Sequence, residues 1–389
     1  MINIKNPIIF FSFIWLFVLY IYSKHYSLLL IPLKSETTIY VILTCISFLM
    51  SYLLVKLLFI QKKFTNSTKF LEGRSTNQNL TKIFKIWIIF TFIEIIYFKG
   101  LPLLSLLGIG GVGTYTEWGI PSLHGFLNAI VITLSNYFFY YYLSKKNKRY
   151  LHLYLLCLLW PIILVTRQML LTMVVQATFI YILCNNIKIG SILKVIFSGF
   201  IIVLLFGLVG DLRSGDSDSF IQLVQPSSDY PTWLPSGFLW VYIYMVSPLN
   251  NVNFNIIKYP DFNFNLSPLI SSFFPSFIRE KIFPPTNQFN FQLVNENLNV
   301  STMFPTYLDS FGYFGSLFFY FLLGLIISFF YLKFKSEKPN IQWLFFVVII
   351  LHNFIFSVFV DFFFNLVFLF QFFLHFLITK SLKLSYGKD

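Results

Sequence analysis

Apolar runs of about 17 to 24 residues recur along this 389-residue chain, and that is the length an α-helix needs to cross a bilayer core of roughly 30 Å at about 1.5 Å per residue. Ten such runs fall near residues 7–23, 37–60, 83–98, 122–144, 150–166, 168–184, 191–210, 311–332, 341–360 and 362–379, the third being short. Charged residues make up only 11% of the chain, against roughly 25% in soluble domains. Its 52 phenylalanines exceed what one core of this size could hide, so apolar side chains must face lipid. The expected fold is therefore an all-α polytopic membrane protein of about ten transmembrane helices, forming one membrane-embedded domain over residues 1–389. No small-residue cleavage site follows the first run, which reads as a retained helix rather than a signal peptide.

The net charge of +13 would suggest nucleic acid in a soluble protein, but its distribution has a simpler reading. Lysine and arginine fill the loops at 61–82 and 145–149, flank 185–190, and return at Lys333, Lys335 and Lys338 and in the C-terminal tail. By the positive-inside rule these segments are cytoplasmic, and both termini with them. The inner side then carries a net +17 and the remainder −4, so the charge follows from topology and no nucleic-acid partner is expected. The long polar segment 211–309, between the seventh and eighth runs, falls outside as one large loop. Its aromatic and proline-rich stretches, such as Pro231 to Asn251, suggest short amphipathic helices on the membrane face, with an eleventh span at 238–248 too short to favour. The three cysteines lie in or at the ends of apolar runs, and no disulfide is expected.

Several charged residues stand where charge is costly. Lysines outnumber arginines 23 to 5, yet Arg167, Arg213 and Arg279 are three of the eight basic residues assigned outside. A planar fork of donors suits phosphate or pyrophosphate, although snorkelling or a local ion pair accounts equally well for any one of them. Arg167 interrupts two apolar runs at a very tight turn. Glu94 sits among apolar residues near the outer end of the third run, where it can serve as a general base, bind a sugar hydroxyl, or pack helices through an ion pair with Lys99 or an outer arginine. His124 opens the fourth run just after Pro121 and would share that surface. Gly108, Gly110 and Gly113 match G-x-G-x-x-G by letters, but no strand and helix frame them, so a dinucleotide site is rejected. Asp216 and Asp218 have Asp-x-Asp spacing, but their Ser and Gly neighbours favour a solvated loop, and neither metal nor cofactor is expected.

Together these segments resemble the Wzy-type O-antigen polymerases, the oligosaccharide repeat-unit polymerases of bacteria. The likeness covers roughly residues 85–335. It rests on Glu94 with Gly100-Leu101-Pro102, Tyr115, Gly119 to Gly125, Arg167 with Gln176, Gly210 to Arg213, and above all Asn299 to Tyr331, where Ser301-Thr302, Asp309, Phe311-Gly312 and Gly315 lead into a helix. The resemblance implies a C-type glycosyltransferase fold in the bacterial inner membrane with its catalytic face in the periplasm. It further implies transfer of a growing glycan from undecaprenyl pyrophosphate to the next lipid-linked repeat unit. The substrates would be undecaprenyl-pyrophosphate-linked oligosaccharides, with a chain-length regulator as a further partner. Glu94 and His124 would be the candidates for the base, Arg167, Arg213 and Arg279 for pyrophosphate contacts, and Tyr115 and Asp309 for sugar binding or loop positioning. The rival readings are an O-antigen ligase and a non-enzymatic flippase or transporter. The latter is disfavoured because neither half of the chain resembles the other.

Overall fold

The computed structural model describes residues 5–59, 76–106, 108–109, 118–185, 223–231, 233–234, 236–274, 276–283, 291–336 and 341–386. Its helices, in chain order, are α1 (Pro7–Tyr22), α2 (Ser35–Leu58), α3 (Thr76–Phe98), α4 (Pro102–Leu106), α5 (Leu123–Lys145), α6 (Lys148–Ile163) and α7 (Arg167–Cys184), followed by α8 (Ser236–Asn255), α9 (Ser267–Ser271), α10 (Ser276–Ile282), α11 (Phe304–Phe334), α12 (Ile341–Phe356) and α13 (Leu366–Tyr386). No strand occurs among the described residues, and an isolated β-bridge joins Ser27 to Pro226. Ser35–Leu58, Leu80–Ser105, Arg167–Cys184 and Phe304–Phe334 are long and apolar enough to cross a membrane, and α1, α12 and the first part of α13 are shorter apolar helices.

Nine of the apolar runs fall on helices, and the tenth, near 191–210, lies outside the described residues. The helix boundaries follow local chemistry. Asn6 caps α1 by accepting from the Ile8 N–H (3.0 Å), and Pro7 occupies the first position, where no N–H is needed. Within α1, Ile8, Phe11, Trp15, Val18 and Tyr22 are buried at helical spacing, while Phe13, Leu16, Phe17 and Tyr20 point outward. An exterior this apolar suits lipid rather than water. Asn365 accepts from the Val367 N–H (2.9 Å) and so starts α13 at Leu366. A nine-residue connection, 357–365, therefore separates α12 from α13, where the sequence pattern leaves a single residue.

Two apolar clusters share α12 as their common wall. Leu344, Phe345, Val348 and Leu351 face a cluster built on α5, α6 and α7, whereas Ile350 and Phe354 face one built on α1, α2, α8 and α11. Residues 344–354 of α12 are all buried, as a helix enclosed on every side requires. Interhelical polar contacts tie the first half together. Asn136 Nδ2 donates to Gln176 Oε1 (2.6 Å), Gln176 Nε2 donates to Gln371 Oε1 (3.2 Å), and His352 Nε2 lies 3.1 Å from Thr172 Oγ1. In the second half α2 packs closely on α11 because Gly324 has no side chain; a β-carbon there would run into Ser51 Oγ.

Asp309 was expected at the end of an extended loop, but α11 begins at Phe304, and Asp309 lies in a helical arm that breaks at Gly312 (φ 74, ψ −175). The break is held by segment 260–265. Asn263 N donates to Phe311 O (2.9 Å), Asn265 N to Ser310 O (2.8 Å), and Tyr313 N and Phe314 N donate back to Pro260 O and Asp261 O (both 2.8 Å). The backbone groups that the kink frees are thus satisfied. A β-carbon at 312 would stand 2.6 Å from Pro260 O, so both the positive φ and the close approach call for glycine.

Segment 211–309, expected to form short helices, holds two of them, α9 and α10, among its described residues, together with one longer helix. α8 is one continuous helix of 20 residues, with Leu239, Ile243, Val246 and Leu249 buried in the second cluster. Its C-terminal asparagines act as clasps. Asn250 and Asn253 bind the extended segment 29–34, and Asn251 and Asn255 bind segment 292–300. Amide side chains here supply the donors and acceptors that neighbouring strands would otherwise provide.

Candidate functional site

Val165 has φ 59, a left-handed backbone that a β-branched residue rarely adopts. Its N–H donates to Ile162 O (3.0 Å) and that of Thr166 to Pro161 O (2.8 Å), so the chain reverses between α6 and α7 within three residues. Arg167 is thereby the first residue of α7. A cation at a helix N-terminus opposes the dipole, whereas an anion beside it is favoured by dipole and guanidinium together.

Arg167 lines a cavity of about 1160 Å³, with Gln168 beside it and Arg279 contributed by α10. Three helices present residues of their first turns to this space: Arg167 and Gln168 of α7, Pro305 and Thr306 of α11, and Leu366 and Val367 of α13. Asn299 to Thr302 form a polar edge, while Tyr244, Phe274, Phe356, Phe359 and Phe362 give an apolar, aromatic wall. Both arginine side chains are exposed, and among the described residues neither lies within 4.0 Å of a carboxylate. Such a chamber can hold a molecule with a strongly anionic group and an apolar or sugar body.

Asp361, in the connection between α12 and α13, is the one carboxylate among the described lining residues. Its Oδ1 accepts from the Phe363 N–H (2.9 Å). Burial pushes its carboxyl up to about 7, with the Phe363 N–H and the Tyr307 hydroxyl pulling the other way. Sequence reasoning passed over it, although Asp361 breaks two apolar runs as Arg167 does, and the same rule would have selected it.

Glu94 and His124 come together elsewhere. Glu94 is fully buried, with Oε1 accepting from the Ile120 N–H (3.0 Å) and Oε2 3.1 Å from His124 Nδ1. The Trp118 ring meets the imidazole edge-on at 5.2 Å. Among the described residues, Glu94 thus pairs with His124 and not with Lys99 or an arginine. Neither residue lines the cavity, although Val367 of its wall lies 3.9 Å from where a β-carbon on Gly125 would stand. Asp309 does not line it either; its carbonyl accepts from Asn263 Nδ2 (2.6 Å) at the α11 break. Tyr115, Arg213 and the Asp216-Asp218 pair lie outside the described residues. Of the seven residues singled out by sequence, the structure brings Arg167 and Arg279 into one cavity and Glu94 and His124 into one pair. Comparison with known proteins found no family model, no curated protein and no solved structure that matches the chain.

Proposed function

We propose that this chain is a glycosyltransferase that polymerises lipid-linked oligosaccharide repeat units, moving a growing glycan from undecaprenyl pyrophosphate onto the next lipid-linked unit. The observation that carries the reading is the convergence of two arginines and three helix N-termini on one cavity in an apolar helical protein. Positive ends of helices and guanidinium forks stabilise the charge that develops on a departing pyrophosphate. Aromatic side chains in the same wall offer faces for sugar rings or a polyprenyl chain.

The orientation in this proposal has both termini in the cytoplasm, ten spans including one near 191–210, and the cavity on the periplasmic side of the inner membrane. It is supported by where charge collects. The cavity lies where α7 and α13 begin, whereas Lys5 Nζ donates to Asn185 O (3.0 Å) just past the end of α7, with Lys335 close enough to influence it. The basic groups and the cavity thus sit at opposite ends of α7, as the positive-inside rule would have them.

The test is purified protein supplied with undecaprenyl-pyrophosphate-linked repeat units, together with surface glycan from a strain that lacks the gene. Polymerase activity predicts a ladder of lipid-linked chains in vitro and a collapse to core plus one unit in the strain. Free lipid-linked polymer would instead identify a ligase, and single units retained in the cytoplasm a flippase.

A further inference from the structure

The connection that carries Asp361 is fixed from several sides. Met303 N donates to Ser357 O (2.8 Å), Trp15 Nε1 donates to Ser357 Oγ (3.1 Å), Asn353 Nδ2 donates to Phe362 O (3.3 Å), and Asn365 caps α13. The carboxylate is therefore held on a rigid support, which a group that must meet a reacting hydroxyl requires. Arg167, Arg279 and Asp361 line the same cavity, so an anion bound by either arginine would lie in the space that Asp361 borders. Glu94, by contrast, is enclosed with both oxygens engaged, and a fully buried carboxylate cannot touch a substrate without rearrangement.

We infer that Asp361 is the proton acceptor for the attacking hydroxyl, an assignment that rests on the glycosyl-transfer reading above. The hydroxyl oxygen of the acceptor sugar forms a bond to the anomeric carbon of the donor as the bond from that carbon to the phosphate oxygen breaks. The electron pair of that bond leaves on the pyrophosphate, where the arginines and helix N-termini balance it. The hydroxyl proton passes to the Asp361 carboxylate and is then released to water. The titratable groups that act on Asp361 or are acted on by it are Tyr307 and Tyr320 of α11, while Arg167 of α7 and Arg279 of α10 line the same cavity. With its carboxyl raised to about 7 by burial, Asp361 is a stronger base than an exposed aspartate while remaining substantially ionised at neutral pH.

The experiment compares the full-length protein with D361N, D361E and H124A in polymerisation of undecaprenyl-pyrophosphate-linked units. D361N should lower kcat on the order of 10²- to 10³-fold with little change in KM, and the rise of kcat/KM with pH through neutrality should disappear. D361E should recover part of the rate. If D361N retains a rate near wild type, or if it keeps the pH-dependent rise while H124A loses it, the assignment fails although the polymerase reading stands. A second measurement does not depend on polymer. A hydrophobic carbodiimide should label Asp361 of the wild-type protein at pH 6 and much less at pH 8.5, and undecaprenyl pyrophosphate should protect it. Absence of labelling, or labelling indifferent to both pH and the lipid, would overturn the assignment even in a protein that makes no polymer, an outcome that by itself sinks only the polymerase reading.

Discussion

Glu94 Oε2 and His124 Nδ1 stand 3.1 Å apart beside Gly119, whose φ of 107 and missing side chain let the imidazole fit; a β-carbon there would come within 2.5 Å of the ring. In a neutral imidazole a carboxylate at Nδ1 selects the tautomer with the proton on that nitrogen, leaving Nε2 as the acceptor. The pair also joins α3 to the start of α5, because Glu94 Oε1 receives the Ile120 N–H.

Glu94→Ala should therefore destabilise the protein, by about 2–3 kcal/mol, since it strands a buried N–H and an imidazole. Glu94→Gln should cost less, about 1–2 kcal/mol, and can reverse the His124 tautomer by offering a donor where an acceptor stood. Thermal unfolding in detergent and nitrogen NMR of labelled histidine would check both. An Ala variant as stable as wild type would show that the pair contributes nothing to helix packing.

Val165→Gly should stabilise the fold by about 1 kcal/mol, because glycine tolerates the left-handed backbone that valine adopts under strain. If that strained turn serves to aim Arg167, the same variant should polymerise more slowly at matched protein levels. A gain in melting temperature with undiminished rate would mean that the turn's strain has no bearing on the cavity.

Arg167→Lys keeps the charge and loses the fork. Polymerisation should fall by about 2–4 kcal/mol in transition-state stabilisation, read as kcat/KM on lipid-linked units. Arg279→Lys should be milder, because α10 is only seven residues long and holds its arginine less firmly than the 18-residue α7. Equal rates for both lysine variants and wild type would leave the arginines a general electrostatic role.

Asn253 makes four contacts that no apolar residue can replace: Lys34 N at 2.9 Å, Thr37 Oγ1 at 2.8 Å, Pro32 O at 3.0 Å and Tyr22 OH at 3.4 Å. Asn253→Ala should cost about 2–3 kcal/mol and loosen segment 29–34. Trypsin cleavage after Lys34 should accelerate, and an unchanged cleavage rate would count against the clasp.

Asp361 also predicts a pH dependence of stability. Its carboxyl is raised in the folded state, so between about pH 4 and pH 7 the native protein holds a proton that the unfolded chain releases. Stability should fall as pH rises through that window, by about 2 kcal/mol once the partial exposure of the group is discounted. D361N should lack this slope and be the more stable protein at pH 8. Parallel curves for the two from pH 5 to pH 8 would show that Asp361 titrates as an exposed aspartate does.

The sequence by itself determined that the chain is helical, with helices long and apolar enough to cross a membrane, because helix length and hydrophobicity are local properties that need no knowledge of neighbours. It also singled out Arg167, because a lone charge between two apolar runs is visible without coordinates. Asp361 bore the same mark, but the residues around it read as continuous apolar runs, and the cap at Asn365 that opens a nine-residue connection is a matter of which backbone N–H finds which oxygen. Tertiary structure alone decided that Arg167, Arg279 and Asp361 share a cavity although they are 82 to 194 residues apart, since only packing of α7, α10, α11 and α13 sets that distance. It decided equally that Glu94 closes on His124 and Ile120 and leaves no oxygen free. A buried carboxylate takes the nearest donors that folding supplies, and no periodicity in the chain says which those will be.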